Sequence, residues 1–171
     1  MESSAGTPAQ TVRSAEAALD ALGSVEATSS LYLTAPVGLK EQPDFINSVA
    51  MLSTDLQPQP LLHSLLDIER HFGRERRRGV PKGPRTLDLD LLLMFTAKGE
   101  PVIAKAPGLI LPHPELACRR FVLEPLAEIA PDLLHPTLGK TVRELLTDLM
   151  ALGTNAGEEV VRIQAQPERR A

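Results

Sequence analysis

Aromatic side chains are scarce in this 171-residue sequence, which contains four Phe, one Tyr and no Trp. Aliphatic side chains must therefore build the hydrophobic core. A single cysteine excludes an internal disulfide and favours a reducing compartment, so we expect a cytoplasmic protein. No apolar run reaches the roughly 18 residues that a membrane-spanning helix needs. The formal net charge of -4 argues against a general nucleic-acid binder.

Helical spacing of apolar residues recurs along the chain. Thr7, Pro8 and Gln10 have the pattern of a capping box with proline at the first helical position, followed by a helix that ends near Leu22. Apolar residues at helical spacing predict a second helix that ends before Gly73. The predicted helical segments are residues 8–22, residues 57–72, short pieces within residues 112–131, and residues 141–152.

Alternating or apolar stretches bounded by turn residues predict three strands, over residues 25–34, 45–54 and 86–95. With the first two helices, they give the order helix, strand, strand, helix, strand. This order is the α+β ferredoxin-like (βαββαβ) pattern with its first strand missing, followed by extra C-terminal helices. We expect one domain over residues 1–152 and a polar tail over residues 153–171, in which residues 160–163 are the apolar exception.

Two acids interrupt the apolar stretch GPRTLDLDLLLM at residues 83–94. In a strand, Asp88 and Asp90 would share one face, while the leucines beside them would share the other. A half-exposed strand with a hydrated face is the ordinary interpretation of such a pair. Leu92 and Met94, however, continue the acidic face with apolar side chains, which favours a cleft. Because Mg²⁺ takes carboxylate oxygens, we predict a metal site here.

A basic loop precedes the acids, and its arginines and lysine are interspersed with Gly and Pro. Arg77 and Arg78 fit a solvated charged surface, but Arg85 adjoins the acidic strand, and guanidinium matches phosphate oxygens. Acids for Mg²⁺ beside arginines for phosphate are the components of a phosphoryl-transfer site.

Three other features of the sequence give less information about function. Residues 138–141 (LGKT) lack the earlier glycine of a phosphate-binding loop and are interpreted as a turn that starts a helix. His113 alone is more often structural than catalytic. With Cys118 it falls short of the ligand number of a zinc site, so we expect Cys118 in the core.

Four collinear stretches resemble one family, 6-hydroxymethyl-7,8-dihydropterin pyrophosphokinase. They are SSLYLTAPVGLKEQPDFINSVAML, IERHFGRER, GPRTLDLDLLL and LPHPELACRRFVLEPLAEIAP, within a resemblance that covers about residues 9–144. The resemblance implies an enzyme of folate biosynthesis whose partners are ATP and the pterin. We expect a monomer without nucleic-acid or membrane partners. It would transfer pyrophosphate from ATP to the pterin hydroxymethyl group and release AMP.

The resemblance also implies roles for individual residues. Asp88 and Asp90 would hold two Mg²⁺ ions and, with Arg74 and Arg85, form the catalytic set. The implied ATP-binding residues are Glu69, Arg74, Arg76, Arg85, His113 and Arg119. The implied pterin-binding residues are Thr34, Ala35, Pro36, Val37, Phe45, Asn47 and Phe121, with the two phenylalanines on opposite faces of the ring.

The sequence departs from the family at its start, because the family's first apolar strand and Gly-Ser-Asn turn do not precede the first helix here. We expect the coding sequence to continue upstream in frame through that strand; a stop codon directly before Met1 would contradict this. Two alternatives stay open: a truncated, inactive relative that only binds nucleotide, and a ferredoxin-like module that binds RNA or protein through its basic loop.

Overall fold

The computed structural model describes residues 7–34, 45–73, 87–153 and 159–163. Within these ranges the chain forms four α-helices, one 3-10 helix and seven short strands, so the α+β class is confirmed. The chain divides into two compact units. The first comprises Met1–Glu26 and Met51–Leu116, and the second comprises Ala27–Ala50 and Ala117–Ala171.

Helices α1 (Pro8–Leu19) and α2 (Pro58–His71) belong to the first unit. The predicted capping box is confirmed: the Thr7 N–H donates to the Gln10 side chain at 2.8 Å, and the Gln10 N–H donates to Thr7 Oγ1 at 3.3 Å. Helix α1 ends three residues before the predicted Leu22, because the last of these residues are in a turn whose N–H groups bond three residues back. Helix α2 ends as predicted before Gly73, whose φ of 87° suits glycine.

Strands β1 (Ser24–Thr28) and β4 (Ala50–Ser53) pair in a two-stranded sheet. Just before β1, Gly23 lies so close to the Ser53 carbonyl group that a Cβ at position 23 would collide with it. Strands β5 (Ala104–Ala106) and β6 (Leu109–Leu111) form an antiparallel hairpin in the first unit, which the sequence analysis did not predict. The 3-10 helix, Leu116–Cys118, follows β6.

The second unit contains a three-stranded antiparallel sheet. Strand β2 (Tyr32–Thr34) is central, with β3 (Phe45–Asn47) on one side and β7 (Val160–Arg162) on the other. Helix α3 (Arg120–Ile129) contacts all three strands, and helix α4 (Val142–Ala151) packs on α3. Strand β7 lies in the tail segment, where residues 160–163 were the apolar exception.

Two predicted strands are each divided in the structure. The strand expected over residues 25–34 becomes β1 and β2, because the consecutive residues Leu31 and Tyr32 are both buried and interrupt the alternation. The strand expected over residues 45–54 becomes β3 and β4. At the first break, Ser29 bonds to Val49 through both its N–H and its hydroxyl, at 2.9 and 3.0 Å.

The prediction of a strand over residues 86–95 is wrong for the residues that the structure describes. Among residues 87–95, only Phe95 takes part in a bridge, with Pro101. The Leu92 carbonyl accepts the His113 N–H at 2.8 Å, and the Met94 carbonyl accepts the Val102 N–H at 2.8 Å. Such single bonds to different partners do not make the continuous ladder that defines a strand.

Aliphatic side chains form the core, as the composition requires. The buried apolar residues of the described ranges are Leu, Ala and Val apart from Tyr32 and Pro125, and most of them are leucines. At the start of α4, Thr141 and Glu144 form a capping box after Gly139, whose φ is 64°. This confirms that residues 138–141 are a turn and a helix start. None of the described helices has the length and apolar character that crossing a membrane requires.

Candidate functional site

The two acids of the central motif are exposed, and their neighbours are not. Asp88 and Asp90 are exposed, whereas Leu87 is buried and Leu89 is partly buried. The alternation expected for residues 87–90 is therefore present even though no strand forms. Both carboxylates lie on a segment that is held from the opposite side by its leucines.

Glu69 holds this segment from helix α2. It is 1% exposed and lies on the same helix face as the buried residues Leu61 and Leu65, at intervals of four residues. One carboxylate oxygen accepts the N–H of Leu89, the residue between the two acids, at 2.7 Å. A hydrogen bond to a carboxylate is stronger than one between neutral groups, so Glu69 fixes the backbone at the centre of the acid pair.

His113 follows strand β6 and is partly buried. Its Nδ1 accepts the Glu115 N–H at 3.2 Å, so the neutral ring carries its proton on Nε2. The backbone N–H of His113 donates to the Leu92 carbonyl. A cavity of about 310 Å³ beside it is lined by Ala106, Gly108, Leu109, Ile110, His113 and Pro114.

Three predicted pterin residues meet in the second unit. Thr34 on β2 lies opposite Phe45 on β3, and the Asn47 amide nitrogen donates to Thr34 Oγ1 at 2.8 Å. The Phe45 side chain is exposed, and Thr34 is buried. Phe121 is in the first turn of α3, the helix that contacts both strands. Its ring lies 5.6 Å from the Arg119 guanidinium carbon, within cation–π range.

Several predictions lie outside the described residues and stay predictions. On the ATP side they are Arg74, Arg76 and Arg85, and on the pterin side they are Ala35, Pro36 and Val37. The part of the chain that the structure describes contains no group of three or more His, Cys, Asp or Glu residues suited to a metal ion. Cys118 is exposed, so the prediction that it belongs to the core is wrong.

Sequence reasoning missed a hydrogen-bond network around Glu128 on α3. The carboxylate accepts the N–H and hydroxyl of Ser30 at 3.0 and 2.8 Å, and the Tyr32 hydroxyl at 2.9 Å. Arg162 on β7 donates to it at 2.7 Å. The sequence contained no local signal for this network, because the partners are 34 to 98 residues away.

The network changes the acidity of two of its members. Burial acts to raise the pKa of Glu128, but the hydrogen bonds from Ser30 and Tyr32 and the Arg162 charge outweigh burial and lower it. Burial, followed by the bond to Glu128, raises the pKa of Tyr32 to about 12. At neutral pH the network is therefore an ionised carboxylate that accepts from a protonated phenol and a guanidinium group.

The sequence was compared with protein families and with curated proteins. The family described as 7,8-dihydro-6-hydroxymethylpterin-pyrophosphokinase (HPPK) matches residues 1–131. Three relatives are named 2-amino-4-hydroxy-6-hydroxymethyldihydropteridine pyrophosphokinase. The one from Synechocystis is 46% identical over 77% of this chain and 64% of its own length. The one from Pseudomonas aeruginosa is 45% identical over 77% of this chain and 79% of its own length. The one from Haemophilus influenzae is 38% identical over 86% of this chain and 86% of its own length.

The family match includes the GPRTLDLDLLL motif and the predicted site residues that the structure describes, which run from Thr34 to Phe121. The chain spans just under two thirds of the Synechocystis relative and more of the other two. The resemblance seen in the sequence is thereby confirmed, and the chain belongs to the 7,8-dihydro-6-hydroxymethylpterin-pyrophosphokinase family.

Proposed function

We propose that this protein transfers pyrophosphate from ATP to the hydroxymethyl group of 6-hydroxymethyl-7,8-dihydropterin and releases AMP, as a step of folate biosynthesis. The observation that carries this proposal is the family match over residues 1–131, with relatives of the same name at 38 to 46% identity. No observation favours the inactive relative or the RNA- or protein-binding module.

Asp88 and Asp90 are the proposed ligands of two Mg²⁺ ions. Both are exposed carboxylates one residue apart, and Mg²⁺ commonly uses one or two carboxylates while substrate phosphates and water complete its coordination. When bound, Mg²⁺ neutralises phosphate charge and lowers the pKa of an attacking hydroxyl group.

The described residues on the nucleotide side have separate tasks. Glu69 holds the Leu89 N–H, and so keeps the Asp88 and Asp90 carboxylates at a constant position for charge neutralisation. His113 has its Nδ1 occupied and presents Nε2–H as a hydrogen-bond donor to the nucleotide. The mainly apolar cavity beside His113 suits a flat base. Arg74, Arg76 and Arg85 are proposed to contact phosphate oxygens, and Arg119 is proposed to lie close to the nucleotide, as the family resemblance implies.

On the pterin side, Phe45 and Phe121 are proposed to contact opposite faces of the ring, as the family resemblance implies. Asn47 uses its amide nitrogen on Thr34, which leaves its carbonyl oxygen to accept from an amino or ring N–H of the pterin. The backbone from Thr34 through Ala35, Pro36 and Val37 is proposed to complete the pocket. No residue is assigned as the general base that takes the proton of the attacking hydroxyl group.

We further propose a ferredoxin-like arrangement for the whole domain, and a monomer that acts in the cytoplasm without nucleic-acid or membrane partners. The order α1, β1, β2, β3, β4, α2 supports the fold, since it matches the middle of the βαββαβ pattern once the divided strands are joined. The single cysteine supports the reducing compartment.

AMP release from ATP and Mg²⁺, measured with and without 6-hydroxymethyl-7,8-dihydropterin, tests the function. We expect pterin-dependent AMP from the wild type and a loss of about 100-fold or more in Asp90→Asn, as for removal of a group that stabilises developing charge. Asp132→Asn is the matched control, because Asp132 is an exposed acid of the second unit that pairs with Arg143. Pterin-independent AMP, or full activity of Asp90→Asn, would refute the proposal.

A further inference from the structure

Strand β7 extends the sheet that carries the predicted pterin residues. Thr34 in the central strand β2 lies opposite Phe45 on one side and opposite Val160 of β7 on the other. Just beyond β7, the Ile163 N–H donates to the Leu31 carbonyl at 2.8 Å. Strand β7 thus gives β2 a second neighbour at the position that presents Thr34, and this part of the chain follows the family match over residues 1–131.

Arg162 joins this strand to helix α3. Its Nη2 donates to Glu128 at 2.7 Å, and its Nε donates to the Ser30 hydroxyl at 2.9 Å. The Ser30 hydroxyl in turn donates to Glu128 at 2.8 Å, which closes a ring of three side chains. One guanidinium group therefore connects β7 both to α3 and to the residues just before β2.

Helix α3 also carries a predicted pterin residue. Phe121 and Glu128 are seven residues apart on α3, which is about two turns and about 10 Å along the helix axis. The position of α3 on the sheet determines how far the Phe121 ring lies from Phe45 on β3. The hydrogen bonds that Glu128 accepts from Ser30 and Tyr32 fix this position at one end of the helix.

We propose that Arg162 is a positioning residue for the pterin: through Glu128 and Ser30 it holds α3 on the sheet and thereby sets the gap between Phe45 and Phe121. This inference rests on the proposed function. A flat ring between two aromatic faces loses much of its contact with one of them when the gap widens by about 1 Å. The effect of losing Arg162 should fall mainly on the pterin, because the network joins β7 to β2, which carries Thr34, and to α3, which carries Phe121.

Steady-state kinetics of Arg162→Ala test this inference. We expect the KM for the pterin to rise about fivefold. In free energy, a change of this size matches the weakening of one charged hydrogen bond that is partly exposed to solvent. The KM for ATP and kcat stay within about twofold of the wild type, as for a surface substitution. Arg162→Lys keeps the charge but loses the forked geometry, so it restores part of the pterin affinity.

Arg143→Ala is the matched control, since Arg143 is also an exposed arginine of the second unit that pairs with an acid. It should leave both KM values unchanged. Hydrogen exchange supplies a second measurement: the amides of β2 and β3 exchange faster in Arg162→Ala, whereas those of α2 do not change.

The outcomes separate the two proposals. If the wild type releases pterin-dependent AMP and Arg162→Ala keeps a normal KM for the pterin, the inference is wrong and the function stands. A fall in apparent kcat in proportion to the loss of folded protein, with both KM values unchanged, would show a role in stability only and also overturn it. If the wild type releases no pterin-dependent AMP, the proposed function fails first, and the inference fails with it.

Discussion

Substitution of Glu69 should lower both the free energy of unfolding and the affinity for nucleotide. It is 1% exposed, and its carboxylate accepts the Leu89 N–H at 2.7 Å between the two proposed Mg²⁺ ligands. Glu69→Ala removes the acceptor and opens space in the first unit. Glu69→Gln preserves the volume and keeps one oxygen that can accept from Leu89.

The expected magnitudes follow from these contacts. A hydrogen bond to a charged group contributes about 1.5–3 kcal/mol, and the Leu89 N–H of Glu69→Ala loses its acceptor. The released cost of burying the carboxylate offsets part of the added cavity term. We therefore expect a loss of about 2–3 kcal/mol in the free energy of unfolding for Glu69→Ala. We expect about 1 kcal/mol for Glu69→Gln, in which the bond is kept but the charge is lost.

Urea unfolding measures stability, and titration with Mg²⁺ and ATP measures nucleotide affinity. Under conditions in which both variants are folded, Glu69→Ala should bind Mg·ATP about tenfold more weakly, the low end of effects for groups that orient metal ligands. The KM for the pterin should change less. Asp67→Ala is the control on the same helix, because Asp67 is exposed and pairs only at the surface with Arg70, so its effect should stay below about 0.5 kcal/mol.

Two results would refute this reasoning. If Glu69→Ala unfolds at the same urea concentration as the wild type, the buried carboxylate does not stabilise the Leu89 segment. If it is less stable but binds Mg·ATP with unchanged affinity, the bond to Leu89 supports the fold without positioning Asp88 and Asp90.

Two further predictions concern stability. His135 is buried, and burial lowers its pKa below the ordinary 6.5, so the unfolded chain binds more protons than the folded chain. The stability that neutral His135 contributes is therefore present above pH 6.5 and is lost as pH falls through the folded-state pKa. In His135→Gln, urea unfolding midpoints measured across this pH range should depend less on pH than in the wild type. An unchanged pH dependence would contradict the assignment. Gly23→Ala places a Cβ against the Ser53 carbonyl and should cost about 1–3 kcal/mol by overpacking, measured by thermal unfolding. A variant as stable as the wild type would show that the backbone there yields freely.

The local chemistry of the sequence was sufficient for the helices and for the family. The capping box at Thr7, the turn that precedes the helix start at Thr141 and the glycine after α2 locate helix ends within a few residues, because these signals act over a single turn. The exposure of Asp88 and Asp90 beside inward leucines also followed from alternation alone. The family was recognised because the GPRTLDLDLLL motif and its companion stretches occur in order, and the comparisons confirm it.

Only the tertiary structure decided how the strands and the buried acids are used. Residues 87–94 are apolar enough for a strand, but they bond singly to Glu69, His113 and Val102 and form no ladder among the described residues. The split of β1 from β2 and the pairing of β7 with β2 depend on neighbours that are distant in the sequence. Glu69 and Glu128 look like ordinary helix acids until their partners, 20 to 98 residues away, are brought to them. Periodicity reports which side of a segment is apolar, whereas hydrogen-bond partners are set by the packing of the whole chain.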